Sequence, residues 1–380
     1  MIHLASSSVA SKKITRRDTL CAFARAAATF PVLGLLNACG GFSMSHDRAF
    51  RQSGLRALAA RRGWHFGAAA QSGQLDDPAF ARSLAREVNA LVPENELKWD
   101  ALRPSPETFD FRGFEELATF ADEHGMILRG HTLVWHESNP AWLESLLKSA
   151  PRADAEKILR EHITRVTQAT QTHIREWDVV NEAIDPRSSR KDGLRETLWL
   201  QALGDSYIAL AFRAASEADS GLRLVYNDFG LERGDGYGEA KRKAALRLLE
   251  NLRARGAPIH GLGLQSHLRV DRPLGGRAFT DFLARARCLG LEVSVTELDM
   301  RYGNLMGDAE DKDALAQDYL RAYLEQVQQS APLKSLLTWG LSDRYSWLRQ
   351  DDDAARGMLP LDVNLERVPM WETLREAWLV

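Results

Sequence analysis

Two short segments of this 380-residue chain each end an apolar, β-branched run on a glutamate. They are Trp177-Asp178-Val179-Val180-Asn181-Glu182-Ala183 and Ser294-Val295-Thr296-Glu297-Leu298-Asp299. Burying a carboxylate is costly without partners, so a strand that ends on one delivers it to a site. A lone glutamate there more often makes an ion pair at a sheet rim. Two on opposite sides of one cleft suit glycoside cleavage, in which one protonates the leaving oxygen and the other attacks or activates water.

Other segments carry polar residues and tryptophans in strand-like surroundings: Val92-Pro93-Glu94-Asn95-Glu96-Leu97-Lys98-Trp99-Asp100, Arg129-Gly130-His131-Thr132-Leu133-Val134-Trp135-His136, Gln265-Ser266-His267, and Thr338-Trp339-Gly340 followed by Asp343 and Ser346-Trp347. His267 lies two residues after Gln265, and Asp299 two after Glu297, spacings that put each pair on one strand face. His131 and His136 are spaced to share a metal only on a helix, and this segment reads as a strand, so neither a metal nor another cofactor is expected. Trp64, Trp177, Trp371 and Trp378 read as packing.

Positioning these residues requires a repetitive frame. Strand candidates are Trp64–Ala70, Val88–Glu94, Ile127–Trp135, Glu176–Glu182, Leu222–Phe229, Gly261–Leu268, Leu291–Leu298 and Leu336–Leu341. Amphipathic stretches alternate with them at Ala79–Glu87, Phe114–His124, Ala155–His173, Leu198–Ala218, Ala240–Arg255, Ala278–Leu289 and Lys312–Gln329. Gly63, Gly125, Gly221, Gly256 and Gly290 stand where a left-handed helix cap is wanted. This predicts the α/β class and a single-domain (β/α)8 TIM barrel. An open doubly wound sheet would need a glycine-rich turn after its first strand, and Phe66-Gly67-Ala68-Ala69-Ala70-Gln71 does not supply one.

With the motifs in order, the chain resembles glycoside hydrolase family 10, the endo-β-1,4-xylanases, from about Trp64 to Trp378. The resemblance implies a retaining double displacement with Glu182 as acid/base, Glu297 as nucleophile, and carboxyl groups ~5–5.5 Å apart. It further implies that Asp299 and His267 orient Glu297. Glu94, Asn95, Lys98, His131, Trp135, Asn181, Gln265, Trp339 and Trp347 are expected to bind sugar, with Glu94, Asn95 and Lys98 on the non-reducing side of the cut and Asn181 on a 2-hydroxyl. The chain departs from the family pattern at Glu137-Ser138-Asn139-Pro140, at Phe229-Gly230 and at Leu348, all expected to flank the sugar path.

Residues 1–39 hold five Lys/Arg and one Asp, leaving 44 basic and 51 acidic residues in the remainder, a net −7 that argues against nucleic acid as a partner. Lys12, Lys13, Arg16 and Arg17 precede an apolar stretch from Leu20 to Leu36 and read as an export signal. Thr15-Arg16-Arg17-Asp18-Thr19-Leu20 resembles a twin-arginine (Tat) motif. Leu36-Asn37-Ala38-Cys39-Gly40 resembles a lipobox, and ordinary cleavage near Ala38 is the alternative. The expected division is a signal over 1–39, a linker over 40–47 and a catalytic domain over 48–380. A periplasmic, lipid-anchored or secreted monomer acting on xylan follows. Cys288 is expected at the buried end of a helix, with no disulfide inside the processed domain.

The leading expectation is thus an endo-xylanase. Its rivals are an enzyme that trims or transfers short decorated oligosaccharides and a surface lipoprotein that binds glycans without cutting them. A phosphate-handling barrel lacks the glycine-rich loop it would need after the seventh or eighth strand.

Overall fold

The computed structural model describes residues 53–350 and 357–379, all within the second of the chain's two units, Ala49–Val380. The signal, the linker and the lipobox lie outside the described residues.

Nine parallel strands make the barrel: β1 (His65–Ala70), β2 (Ala90–Pro93), β3 (Ile127–Val134), β4 (Ile174–Asn181), β5 (Arg223–Asp228), β6 (Gly261–Leu264), β7 (His267–Arg269), β8 (Glu292–Arg301) and β9 (Ser335–Thr338). They run in the order β6-β5-β4-β3-β2-β1-β9-β8-β7, and pairing of β6 with β8 closes the ring. The sixth stave is broken, so nine strands form eight staves. Where one strand was expected over Gly261–Leu268, Ser266 takes a left-handed φ of 62° and splits it into β6 and β7. Gln265 and His267, on either side of the break, both line one cleft.

Strand interiors are buried on both faces, as expected of a parallel sheet sheathed in helices. Two glycines make room for side chains the site depends on. A Cβ on Gly130 would stand 2.2 Å from the Trp177 ring, and one on Gly263 would stand 2.2 Å from Asn227 Oδ1.

The sheathing helices follow the predicted stretches within a few residues. The exception is Leu198–Ala218, which breaks into Leu198–Leu203 and Ser206–Ala218 at Gly204, where φ is 66°. Short helices at Leu55–Arg61, Ala141–Ser149 and Pro369–Leu374 were not foreseen. Gly63, Gly125, Gly256 and Gly290 have positive φ, whereas Gly221 does not. Cys288 ends the helix Gly276–Cys288 as expected, but it is exposed rather than buried.

The first and last described helices are fastened through Glu87, which is fully buried. It accepts from Leu55 N at 3.0 Å, Arg367 Nη2 at 2.8 Å and Trp371 Nε1 at 2.9 Å. A buried charge so partnered is costly to break, about 3–5 kcal/mol if one partner is removed.

Candidate active site

The loops after the strands enclose a cleft of about 710 Å³. Glu94, Asn95, Lys98, His131, Trp135, Asn181, Glu182, Gln265, His267, Glu297, Trp339 and Trp347 all line it. Asp299 lies behind this wall with no solvent exposure.

Glu182 follows the last residue of β4 and takes a left-handed φ of 57°, a conformation that is costly for a residue with a side chain and recurs at functional sites. Its amide still donates to Asn227 O at 2.9 Å, so the strand pairing persists up to the turn. Glu297 stands inside β8 and is 4 % exposed.

A belt of amides joins the two glutamates. Gln265 Nε2 donates to Glu182 Oε1 and to Asn181 Oδ1, each at 3.0 Å. Asn227 Nδ2 donates to Asn181 Oδ1 at 3.0 Å and to Glu297 Oε1 at 2.6 Å. Asn227 is in turn held by Thr296 Oγ1, which donates to its Oδ1 at 2.7 Å. This buried network ties both carboxylates to Asn181 in β4, Asn227 in β5 and Gln265 just after β6.

Behind Glu297 lies His267, with Nε2 at 3.2 Å from Glu297 Oε2 and Nδ1 at 2.9 Å from Asp299 Oδ2. Trp347 Nε1 donates to the same Asp299 oxygen at 2.8 Å. Burial opposes charge on His267, but Asp299 and then Glu297 outweigh it and hold the imidazolium well above the usual histidine range.

His131 approaches Glu297 from the other side. Its Nδ1 lies 3.1 Å from Asp178 Oδ2 and 3.8 Å from Glu297 Oε1. His131, Asp178 and Glu297 could in principle converge on a cation, their ligand atoms lying within 4.8 Å of one another. Asp178 is already taken by Arg129, whose Nη2 and Nε reach its two oxygens at 2.6 and 3.2 Å. Burial raises the Asp178 carboxyl, but Arg129 and His131 outweigh it and leave it below the ordinary value. A guanidinium thus fills the role an ion would have.

Around Glu182 the balance differs. Burial works to raise its carboxyl, but the Gln265 hydrogen bond, His136 and Lys241 leave it low in the empty cleft. His136 is itself pushed down to about 4 by burial and then by Arg195. It is therefore neutral across the neutral range. Glu137 lies 3.3 Å from His136 Nε2, and its carboxyl is raised by burial and then by Glu182.

On the opposite side, Lys98 Nζ sits 5.2 Å from the Trp135 ring and 5.7 Å from Trp339, and donates to Asn95 Oδ1 at 3.1 Å. Burial raises the carboxyl of neighbouring Glu94 despite Lys98. Two aromatic faces beside polar groups form a surface suited to a sugar ring.

Two of the expected departures from the family pattern do not reach the cleft. Leu348 is buried against Met358 and Leu359, and the Ser138 carbonyl is occupied by the Asp100 amide. Glu137 and Phe229 do line it. Phe229 covers Lys241, whose Nζ lies 3.7 Å from the ring centroid and 2.7 Å from Asp228 Oδ1. Asn227, Arg129, Asp178 and Lys241 are working residues that the sequence did not single out. The signal available for Arg129, Asp178 and Asn227 was a polar or charged residue inside a strand candidate.

The chain is similar to known xylanases. The chain is 32% identical over 327 residues to endo-1,4-beta-xylanase B of Thermotoga neapolitana, covering 85% of this chain and 90% of that protein. It is 36% identical over 292 residues to endo-1,4-beta-xylanase A of Caldicellulosiruptor sp. (strain Rt8B.4), spanning 73% of this chain but 41% of that longer relative. Xylanase 10B from Thermotoga petrophila RKU-1, solved in complex with xylobiose, superposes with a TM-score of 0.77 at 31% identity, covering 85% of this chain and 96% of that one. The model of glycosyl hydrolase family 10 matches residues 54–377. With a closed barrel, two cleft-lining glutamates joined by one amide belt and a match over nearly every described residue, the chain belongs to glycosyl hydrolase family 10.

Proposed function

We propose that the chain is a retaining endo-β-1,4-xylanase. The observation that carries this reading is the Glu182–Gln265–Asn181–Asn227–Glu297 belt, backed by the His267–Asp299 pair, in the cleft of about 710 Å³. Glu297 attacks the anomeric carbon while Glu182 gives its proton to the leaving oxygen, and a covalent glycosyl-enzyme forms. Water then enters, Glu182 takes its proton, and the sugar leaves with its original anomeric configuration. His267 and Asp299 orient Glu297, and Asn181 strengthens its contact with the sugar 2-hydroxyl in the transition state. Glu94, Asn95, Lys98, Trp135 and Trp339 hold the glycone. His131, Gln265 and Trp347 bound the sugar at the cut.

The test is hydrolysis of xylohexaose by purified protein, with Glu297→Ala as control. Undiminished cleavage by that variant overturns the assignment. Glu137 and Phe229 in the cleft favour a second reading, an enzyme that trims or transfers short decorated oligomers. A product-length time course separates the two, because an endo-enzyme cuts long xylan as readily as short oligomers. We also infer that the enzyme works outside the cytoplasm, since Lys12, Lys13, Arg16 and Arg17 before an apolar run read as a Tat-type signal. Retention of activity in the cytoplasmic fraction of the producing cell would contradict this.

A further inference from the structure

Charge is unevenly shared between the two walls of the cleft. The wall built by the loops after β1, β2 and β3 contributes Lys98 together with Glu94 and Glu137. The wall built after β4 to β8 contributes six arginines, of which Arg233, Arg269, Arg272 and Arg301 are gathered at one end.

The backbone brings those four together. Arg269 in β7 is in register with Arg301 in β8, and Arg272 N donates to Arg269 O at 3.0 Å. The loop after β5 meets the same segment through a bridge between Arg233 and Leu274 and a bond from Gly234 N to Pro273 O at 2.7 Å. Their commitments differ. Arg269 is held flat by Asp271, with Nε and Nη2 at 3.1 and 3.0 Å from its two oxygens, which leaves its Nη1 edge over. Arg233 pairs with Asp235 through Nη2, while its buried Nε has no hydrogen-bond partner. Arg272 is exposed and makes no ion pair among the described residues. Asp235 and Asp271 therefore pair with Arg233 and Arg269, and of these three arginines Arg272 is left without an ion pair among the described residues. Glu232, the further acid on this rim among the described residues, is buried, and burial biases its carboxyl toward the neutral form.

We propose that Arg233, Arg269 and Arg272 bind the carboxylate of a uronic-acid branch on the xylan chain, and that the enzyme prefers acid-decorated xylan to neutral xylan. This rests on the xylanase reading above. Guanidinium groups recognise carboxylates through paired N–H donors, which a neutral pentose branch cannot match. Place in the barrel assigns the side of the cut. Glu94, Asn95 and Lys98 follow β2, and in a ring of eight staves the second lies opposite the sixth, which carries Arg269 and Arg272. The branch therefore sits on the reducing side, on sugars that leave with the aglycone.

The experiment uses the full chain and three substrates: linear xylohexaose, a uronic-acid-branched xylo-oligosaccharide, and the same oligosaccharide with its carboxyl reduced to a neutral hydroxymethyl. The acidic substrate is expected to show kcat/KM about tenfold above its reduced counterpart at low salt, and the gap should narrow as salt rises because the contact is exposed. Arg272→Gln should cut that preference about threefold through KM, Arg272→Lys should retain part of it, and both should cleave xylohexaose within about twofold of the parent. Equal kcat/KM on the acidic and reduced substrates, or a preference that survives Arg233→Gln/Arg269→Gln/Arg272→Gln, overturns the proposal. Calorimetric binding of the acidic and reduced oligosaccharides to Glu297→Ala reads the same preference without turnover. Failure to cut xylohexaose while that binding difference persists would count against the xylanase reading and not against the arginine site.

Discussion

Replacing Asp299 by Asn isolates what its charge does for His267. Asp299 is fully buried, its Oδ2 lies 2.9 Å from His267 Nδ1, and the same oxygen accepts from Trp347 at 2.8 Å. Asparagine keeps the shape and can still accept from the indole, so the change is electrostatic. At that separation and an effective dielectric of about 20, the attraction between unit charges is about 6 kcal/mol. The His267 side chain is 20 % exposed, so roughly half of this survives solvent screening, about 3 kcal/mol. Burial then acts with only Glu297 left to oppose it, and the imidazolium gives up its proton at lower pH. The nitrogen resonances of the His267 ring, followed across pH, read this directly, alongside kcat/KM on xylohexaose. The parent protein should hold His267 charged through the neutral range. The variant should titrate lower and lose about tenfold to a hundredfold in kcat/KM, with the loss growing toward alkaline pH, where the charge facing Glu297 has gone. An unchanged His267 titration refutes the electrostatic argument, and an equal loss at every pH with that titration intact would leave Asp299 only a packing role.

Because Glu182 is held low in the empty cleft, kcat/KM should fall as pH rises through the carboxylate range. A bound sugar excludes water and raises the group, so the alkaline limb of kcat should lie at higher pH than that of kcat/KM. Coincident limbs would contradict this. Lys241→Met leaves the buried Asp228 without a counter-charge, with only the Tyr226 hydroxyl and the Phe229 amide donating to it, since the ammonium lies 2.7 Å from that carboxylate and donates to Ile184 O at 3.0 Å. A loss of about 3–5 kcal/mol is expected in denaturant melts, and a change below about 1 kcal/mol would mean that Asp228 is neutral in the folded protein. His162 is fully buried against Trp99 at 3.5 Å, with neither ring nitrogen hydrogen-bonded, and burial followed by Arg103 holds it well below 6.5. Its folded form resists the proton that the unfolded chain takes up, so this contribution is present above the unfolded value and declines by about 1.4 kcal/mol per pH unit below it. His162→Phe should flatten that part of the Tm–pH curve.

The sequence was most informative where chemistry and period coincide. Glu182 and Glu297 ended apolar runs, and the staves that carry them were readable because a buried parallel strand leaves few positions for charge. Gln265 and His267 were legible as a pair, but the left-handed turn at Ser266 that separates their strands was not, since serine has no marked preference for that conformation. Leu348 was expected beside the sugar because it follows Trp347, yet successive residues in a tight turn face different ways, and it went to the core with Met358 and Leu359. Asn227 stayed hidden because its role depends on Gly263 and Asn181 on neighbouring staves, a contact that only the closed ring creates. The arginines of the far wall are scattered between Arg187 and Arg301 in sequence, and only the β5 and β7 loops meeting at Arg233 and Leu274 make them a cluster.

The central claim is that Glu297 forms the covalent bond to the sugar and Glu182 handles the proton. Incubation with an activated 2-deoxy-2-fluoro-xylobioside, which slows turnover of the glycosyl-enzyme, followed by peptide mapping by mass spectrometry, tests it most directly. One fluoroxylobiosyl group on the peptide containing Glu297, and its absence in Glu297→Ala, is the predicted result. A label on Glu182, or leaving-group release with no covalent adduct on either glutamate, would contradict it.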